Sequence, residues 1–277
     1  MKKLLMLTCM LSTGSLCWAQ APSLGTAATF AVLGGTAVTC TSSVITGDVG
    51  SSGGAATVVQ TGCPITGSII APVPAQVVTD FNAAYAALAV APCTQTILTA
   101  AFTGATLGPL APGVYCFPEA VTFTDTTLTL AGPSTGIWIF KVGAALTGSG
   151  FQVVMTNGGQ ACNVFWAVGA AATLSTSTLP PLFQGNILAG DATGGSLTIT
   201  GGALVGRALA SVAVTLTSTN VNGVCALVDQ AKASCKNDDD DRDEDKDHHD
   251  KDDDRDKDHH HHHHDKDKDH QDNDHKN

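Results

Sequence analysis

Charge is almost missing from the long middle of this chain. Between residues 20 and 235 stand six acids (Asp48, Asp80, Glu119, Asp125, Asp191 and Asp229) and three bases (Lys141, Arg207 and Lys232). Three scattered cations cannot form a basic patch, so counterion-releasing contacts to nucleic acid are excluded. Histidine is absent before His248, which removes the commonest general base from the same region. Gly50-Ser51-Ser52-Gly53-Gly54 fits G-x-S-x-G, but a nucleophile elbow needs a histidine to take the serine proton, so the match is compositional. The few scattered acids leave little for a pair of glycosidase carboxylates. A polysaccharide lyase would have only Lys141 and Arg207 to set beside them. C-x-x-C pairs and phosphate-cradling loops are lacking as well. An enzyme is not expected.

Long hydrophobic runs are also missing. The apolar stretch 4–16 is too short to span a bilayer. Lys2 and Lys3 precede it, and Cys17 and Ala19 occupy the −3 and −1 positions of a cleavage site before Gln20. Residues 1–19 therefore read as a signal peptide, and the protein is expected to be secreted, with no membrane span.

What the middle lacks, the end of the chain holds. Residues 236–277 carry nineteen acids, nine bases and all ten histidines, without one apolar side chain. Such a segment buries nothing to offset its conformational entropy and is expected to be disordered. It solvates a nearly uncharged domain. The run His259, His260, His261, His262, His263 and His264 offers imidazoles to nickel, copper or zinc. An adventitious divalent metal on this tail is the only cofactor expected.

The organisation is then residues 1–19 as leader, 20–235 as folded domain and 236–277 as tail. Seven cysteines remain after the leader, and in an oxidising compartment they read as disulfides. Proximity in sequence suggests Cys40 with Cys63 and Cys93 with Cys116. Of Cys162, Cys225 and Cys235, one stays unpaired or bridges to another molecule.

In the domain, short β-prone runs recur at 36–41, 121–130, 137–142, 151–155, 164–168, 186–189, 196–200 and 213–217. Many alternate an apolar residue with Thr or Ser, as in Val214-Thr215-Leu216-Thr217. That period marks strands with one buried and one exposed face. Val142-Gly143-Ala144-Ala145-Leu146-Thr147 returns as Val168-Gly169-Ala170-Ala171-Ala172-Thr173, and Gly185-Asn186-Ile187-Leu188-Ala189-Gly190 as Gly206-Arg207-Ala208-Leu209-Ala210-Ser211. Repeats of this length, built of strands alone, suggest the coils of a solenoid, with a β-sandwich as the alternative. One segment differs: in 76–91, Val77, Val78, Phe81, Ala84, Tyr85 and Leu88 fall at helical spacing, between Pro72 and Pro74 on one side and Pro92 on the other. This is an amphipathic helix expected to lie along the solenoid's side.

Thirty-two threonines lie between residues 20 and 235. On a strand, alternate side chains are roughly 6.7 Å apart and neighbouring strands about 4.7 Å. Stacked Thr-x-Thr units thus make a grid of methyls and hydroxyls, held rigid because β-branched threonine is stiff at χ1. Such a grid can order water at spacings near those of ice.

Several segments resemble a known family in order along the chain. They are Leu24-Gly25-Thr26-Ala27-Ala28-Thr29-Phe30-Ala31-Val32-Leu33, Ile45-Thr46-Gly47-Asp48-Val49-Gly50, Pro112-Gly113-Val114-Tyr115-Cys116-Phe117, Ala161-Cys162-Asn163-Val164-Phe165-Trp166, Phe183-Gln184-Gly185-Asn186-Ile187-Leu188-Ala189 and Gly206-Arg207-Ala208-Leu209-Ala210. Together they resemble the large microbial ice-binding protein family (DUF3494 type) over residues 24–224. The resemblance implies a mainly β fold: a β-solenoid of triangular cross-section with one long α-helix packed along its side. It also implies a winding in which the N-terminal coil lies beside the C-terminal strands. The family's ice-contacting motif (Thr, then Ala or Gly, any residue, then Thr or Asn) is met at Thr26 with Thr29, Thr36 with Thr39, and Thr103 with Thr106. Later coils depart from it, yet Thr147, Thr173, Thr176, Thr198, Thr200, Thr215 and Thr217 fall at comparable places in successive units. These seven are the expected ice-binding residues, with ice or ordered water as partner, a monomer as the expected state and weak activity expected from the imperfect motif. The competing reading is a cell-surface or matrix module that uses the solenoid as an adhesive spacer and the tail to hold cations.

Overall fold

The computed structural model describes residues 19–176, 182–190 and 194–224. Their short strands stack into parallel sheets on three sides of a β-solenoid. One sheet has the spatial order Ile69–Ile70, Asp48–Ser51, Phe30–Gly34, Ala208–Ala210, Asn186–Ala189, Val164–Val168, Trp138–Val142, Gly113–Phe117, Gln95–Thr96. A second runs Val58–Thr61, Ala37–Thr41, Ala213–Thr217, Leu197–Thr200, Ala172–Ser175, Leu146–Ser149, Val121–Thr124, Ala101–Thr103. The third side is divided between a three-stranded and a four-stranded sheet.

These orders give the winding. Phe30–Gly34 pairs on one edge with Asp48–Ser51 and on the other with Ala208–Ala210. The first coils grow away from Phe30, the chain crosses to the far end of the solenoid, and the later coils return until the last docks on the first. The crossing is made by the helix α1, Ala75–Val90, which is about 24 Å long. It sits one residue earlier than the spacing predicts. Val77, Phe81, Ala84, Tyr85 and Leu88 are buried along it, against Leu24, Phe30, Leu33, Ile139, Phe165 and Leu209 among others. Val78 does not join them: it stands about 100° around the helix from Val77 and remains 37% exposed.

The helix explains a difference in pattern between sheets. Strands beneath it are covered on both faces and read as unbroken apolar runs, such as Val-Phe-Trp-Ala-Val at Val164–Val168. The second sheet has the core on one face only, and its strands alternate. Inside the coils the aromatic rings stack between turns, Phe140 on Trp166 at 4.1 Å and Phe123 on Phe151 at 4.2 Å.

Polar clamps fasten the helix. Asp80 accepts hydrogen bonds from the amide and hydroxyl of Thr26, both 2.7 Å, and from Gln76. At the other end Lys141 Nζ donates to the Ala91 carbonyl at 2.8 Å, and burial lowers the lysine pKa. The Thr26 hydroxyl, followed by its amide and Gln76, holds the Asp80 carboxyl below the usual carboxylate range. A depressed folded pKa stabilises the fold above the ordinary carboxylate range and loses that contribution as pH falls through the folded value. Acid is therefore expected to lower the melting temperature, and Asp80→Asn to flatten that dependence. Parallel pH–melting curves for the two chains would refute it.

Both expected disulfides are present, Cys40–Cys63 and Cys93–Cys116, and Cys162 is disulfide-bonded as well. Cys225, Cys235, the leader and the tail, with the run His259 to His264, lie outside the described residues.

Candidate functional site

Each strand of the second sheet turns one set of side chains into the core and presents the other outward. Because the pairing is parallel and in register, outward residues line up across the strands. One rank is Val59, Thr39, Thr215, Thr198, Thr173, Thr147, Thr122, Ala101. The other is Thr61, Thr41, Thr217, Thr200, Ser175, Ser149, Thr124, Thr103. The register does not shift anywhere across these eight strands. In the helix-covered sheet it shifts between Phe30 and Val32, and on the third side between Leu128 and Leu130.

The two ranks form a lattice about 6.7 Å by 4.8 Å. Among the described residues, Ser175 is the only member whose hydroxyl donates to the protein, reaching the Gly148 carbonyl at 3.5 Å. The other hydroxyls face out with no internal partner. A corner device holds the second rank in place. Thr41, Thr124 and Thr217 are each followed by a residue with positive φ (Ser42, Asp125, Ser218) and then by a buried hydroxyl (Ser43, Thr126, Thr219). That hydroxyl donates back to the carbonyl of the rank threonine at 2.9, 2.9 and 3.1 Å. The chain turns sharply there, which divides the expected run 121–130 into Val121–Thr124 and Thr127–Ala131.

Of the expected residues, the first rank holds Thr147, Thr173, Thr198 and Thr215, and the second holds Thr200 and Thr217. Thr176 is not among them. It lies one residue past Ala172–Ser175, where its carbonyl and methyl back onto Gly201 at the corner. Of the motif threonines, Thr39 and Thr103 are on the face. Thr26 is tied to Asp80, Thr29 and Thr36 donate to the Thr26 and Val212 carbonyls, and Thr106 pairs with Thr127 on the third side. The sequence reading missed Thr41, Thr61, Thr122, Thr124, Ser149 and Ser175. A five-residue pattern, Ala or Ser, any, Thr, any, Thr or Ser, would have found all but Thr61: it recurs at residues 37–41, 120–124, 145–149, 171–175, 196–200 and 213–217.

Clefts of about 350 and 370 Å³ flank the helix. The single charged side chain lining them, Lys141, is committed to Ala91. Ser51 and Ser52, in the G-x-S-x-G match, sit at a solenoid corner, where the Ser51 hydroxyl bonds Thr57 and accepts from the Gly53 amide. No group of three metal-ligating side chains occurs among the described residues, and none of their helices is long and apolar enough to cross a membrane.

The model of a family described as ice-binding-like matches residues 32–222. An ice-binding protein from Nostoc sp. (strain HG1) is 39% identical over 222 residues, covering 76% of this chain and 77% of that protein. One from Flavobacterium frigoris (strain PS1) is 34% identical over 217 residues, covering 72% and 75%. The crystal structure of an ice-binding protein from Antarctomyces psychrotrophicus superposes with a TM-score of 0.63 at 30% identity, covering 73% of this chain and 98% of that one.

Proposed function

The chain belongs to the ice-binding-like family, and from that premise we propose that it is a secreted protein that adsorbs to ice through the two threonine ranks of its second sheet. The observation that carries this reading is the unbroken register of those ranks over eight strands. Methyls on a fixed lattice discourage ordinary hydration between them, while outward hydroxyls anchor water at repeated points. Water held at spacings near those of ice joins the crystal with little reordering. A face without charge is part of the same chemistry, because an ion keeps a hydration shell that ice cannot accommodate.

The third side does not offer this surface. There Thr127 lines up with Gln152, Thr129 with Val154, and Asn220 with Ala203 and Val44. Long, branched and amide side chains are mixed within these ranks.

Expressed with its own leader, the chain is expected in the medium with Gln20 at its N-terminus, and to slow ice recrystallisation and enter a growing ice hemisphere. In the double variant Thr198→Tyr, Thr215→Tyr, two rings stand above the centre of the face and should cut that activity at least about tenfold, as removal of a central contact does in other interfaces. Undiminished activity in the double variant would place ice on another side. A wild-type chain with no effect on ice would refute the reading itself.

A further inference from the structure

The two ranks are not uniform along the solenoid axis. In the adjacent strands Ala37–Thr41, Ala213–Thr217 and Leu197–Thr200, both outward positions are threonine. They form a block of six: Thr39, Thr41, Thr215, Thr217, Thr198 and Thr200. Five of these six are partly buried. The next two strands keep Thr173 and Thr147 in the first rank but place Ser175 and Ser149 in the second, and all four are exposed. Serine brings no methyl to the surface and lacks the β-branch that stiffens threonine. The Ser175 hydroxyl turns back to the Gly148 carbonyl instead of facing water. Beyond them, Thr124 adjoins the exposed carboxylate of Asp125. At the opposite end the first rank closes on Val59, which has no hydroxyl.

The block also straddles the junction of the winding. Thr39 and Thr215 are directly paired although far apart in sequence, because the last coil docks there on the first. Resting on the ice reading above, we propose that ice is engaged first at this six-threonine block, and that Ser149 and Ser175 limit how far the contact extends along the face. The binding surface is thus completed only when the N- and C-terminal coils meet.

Four full-length chains test this: wild type, Thr39→Tyr in the block, Thr147→Tyr outside it, and the double variant Ser149→Thr, Ser175→Thr. Circular dichroism and melting curves first establish that each is folded. Thermal hysteresis is expected to fall at least about tenfold in Thr39→Tyr, in the way a central anchor dominates an interface, and to fall measurably but less, by about threefold, in Thr147→Tyr, which lies in the same rank outside the block. The threonine pair should raise it. Equal losses in the two tyrosine variants, or no gain from the threonine pair, would overturn the proposal while leaving ice binding intact. A wild-type chain inert toward ice would overturn both together.

Discussion

Arg207→Ala is expected to cost about 4 kcal/mol of stability, the sum of one buried and one part-buried acceptor left without this donor and the space vacated by the side chain. Arg207 is 3% exposed in a domain that carries few charges. Its Nε donates to the Ala28 carbonyl at 2.9 Å, and Nη1 to Asn186 Oδ1 at 3.1 Å. Asn186 in turn donates to the carbonyls of Cys162 and Val164. One guanidinium therefore ties the N-terminal turn Gly25–Thr29 to two later coils, at the junction where the winding closes. Desolvation lowers its pKa, and the bonds it makes offset that desolvation only while the acceptors stay in place. Arg207→Lys should recover less than half of the loss, because one ammonium cannot present the two donors in a fixed fork. Arg207→Met, which keeps an apolar stem and fills part of the space, separates packing from hydrogen bonding. Urea unfolding reads all three. An Arg207→Ala midpoint equivalent to less than about 0.5 kcal/mol, the scatter of ordinary surface substitutions, would show that the junction does not depend on this residue.

Legibility in the sequence followed the range of the interaction. The helix could be read because its stripe is local, Val77 to Phe81 to Leu88, and the error at Val78 came from counting an adjacent apolar residue into one face. Sequence proximity predicted both disulfides for a geometric reason: each spans 23 residues, about one coil, so the second cysteine lands beside the first on the neighbouring turn. The junction was not legible that way. Nothing in the periodicity of Phe30–Gly34 or Ala208–Ala210 says that they pair, and only the resemblance implied it. The choice of face depended on coil register, which short apolar–threonine alternations leave open. Six of seven expected threonines still fell on one sheet, since alternation within a strand is set locally. Thr176 falls outside the two ranks because the strand ends at Ser175, which spacing from Thr173 does not reveal. The corner hydroxyls Ser43, Thr126 and Thr219 went unrecognised among so many outward threonines, although they are the ones turned inward.

Removing the two disulfides is expected to loosen the ends of the solenoid and spare its middle. A coil inside a stack is held by two neighbours and a terminal coil by one, so the ends are where a solenoid frays. Cys40–Cys63 fastens the edge strand Val58–Thr61 to Ala37–Thr41, and Cys93–Cys116 fastens Gln95–Thr96 to Gly113–Phe117. Each closes a loop of 23 residues, for which chain entropy gives about 3 kcal/mol. In the variant Cys40→Ala, Cys63→Ala, amides of Val58–Thr61 and Ile69–Ile70 should exchange with solvent orders of magnitude faster, by about the factor that 3 kcal/mol implies. In Cys93→Ala, Cys116→Ala the same should hold for Gln95–Thr96 and Ala101–Thr103. Asn186–Ala189 and Ala208–Ala210, in the middle of the sheet, should stay protected in both. The functional outcomes should differ, because Cys40 lies between Thr39 and Thr41 and its partner braces the six-threonine block from outside. Ice activity is therefore expected to fall in the first pair and to persist in the second, whose coils end at Ala101 and Thr103. Faster exchange spread evenly over all coils would show that the disulfides stabilise the fold as a whole. Equal ice activity in the two pairs would show that the block needs no support from the terminal coil.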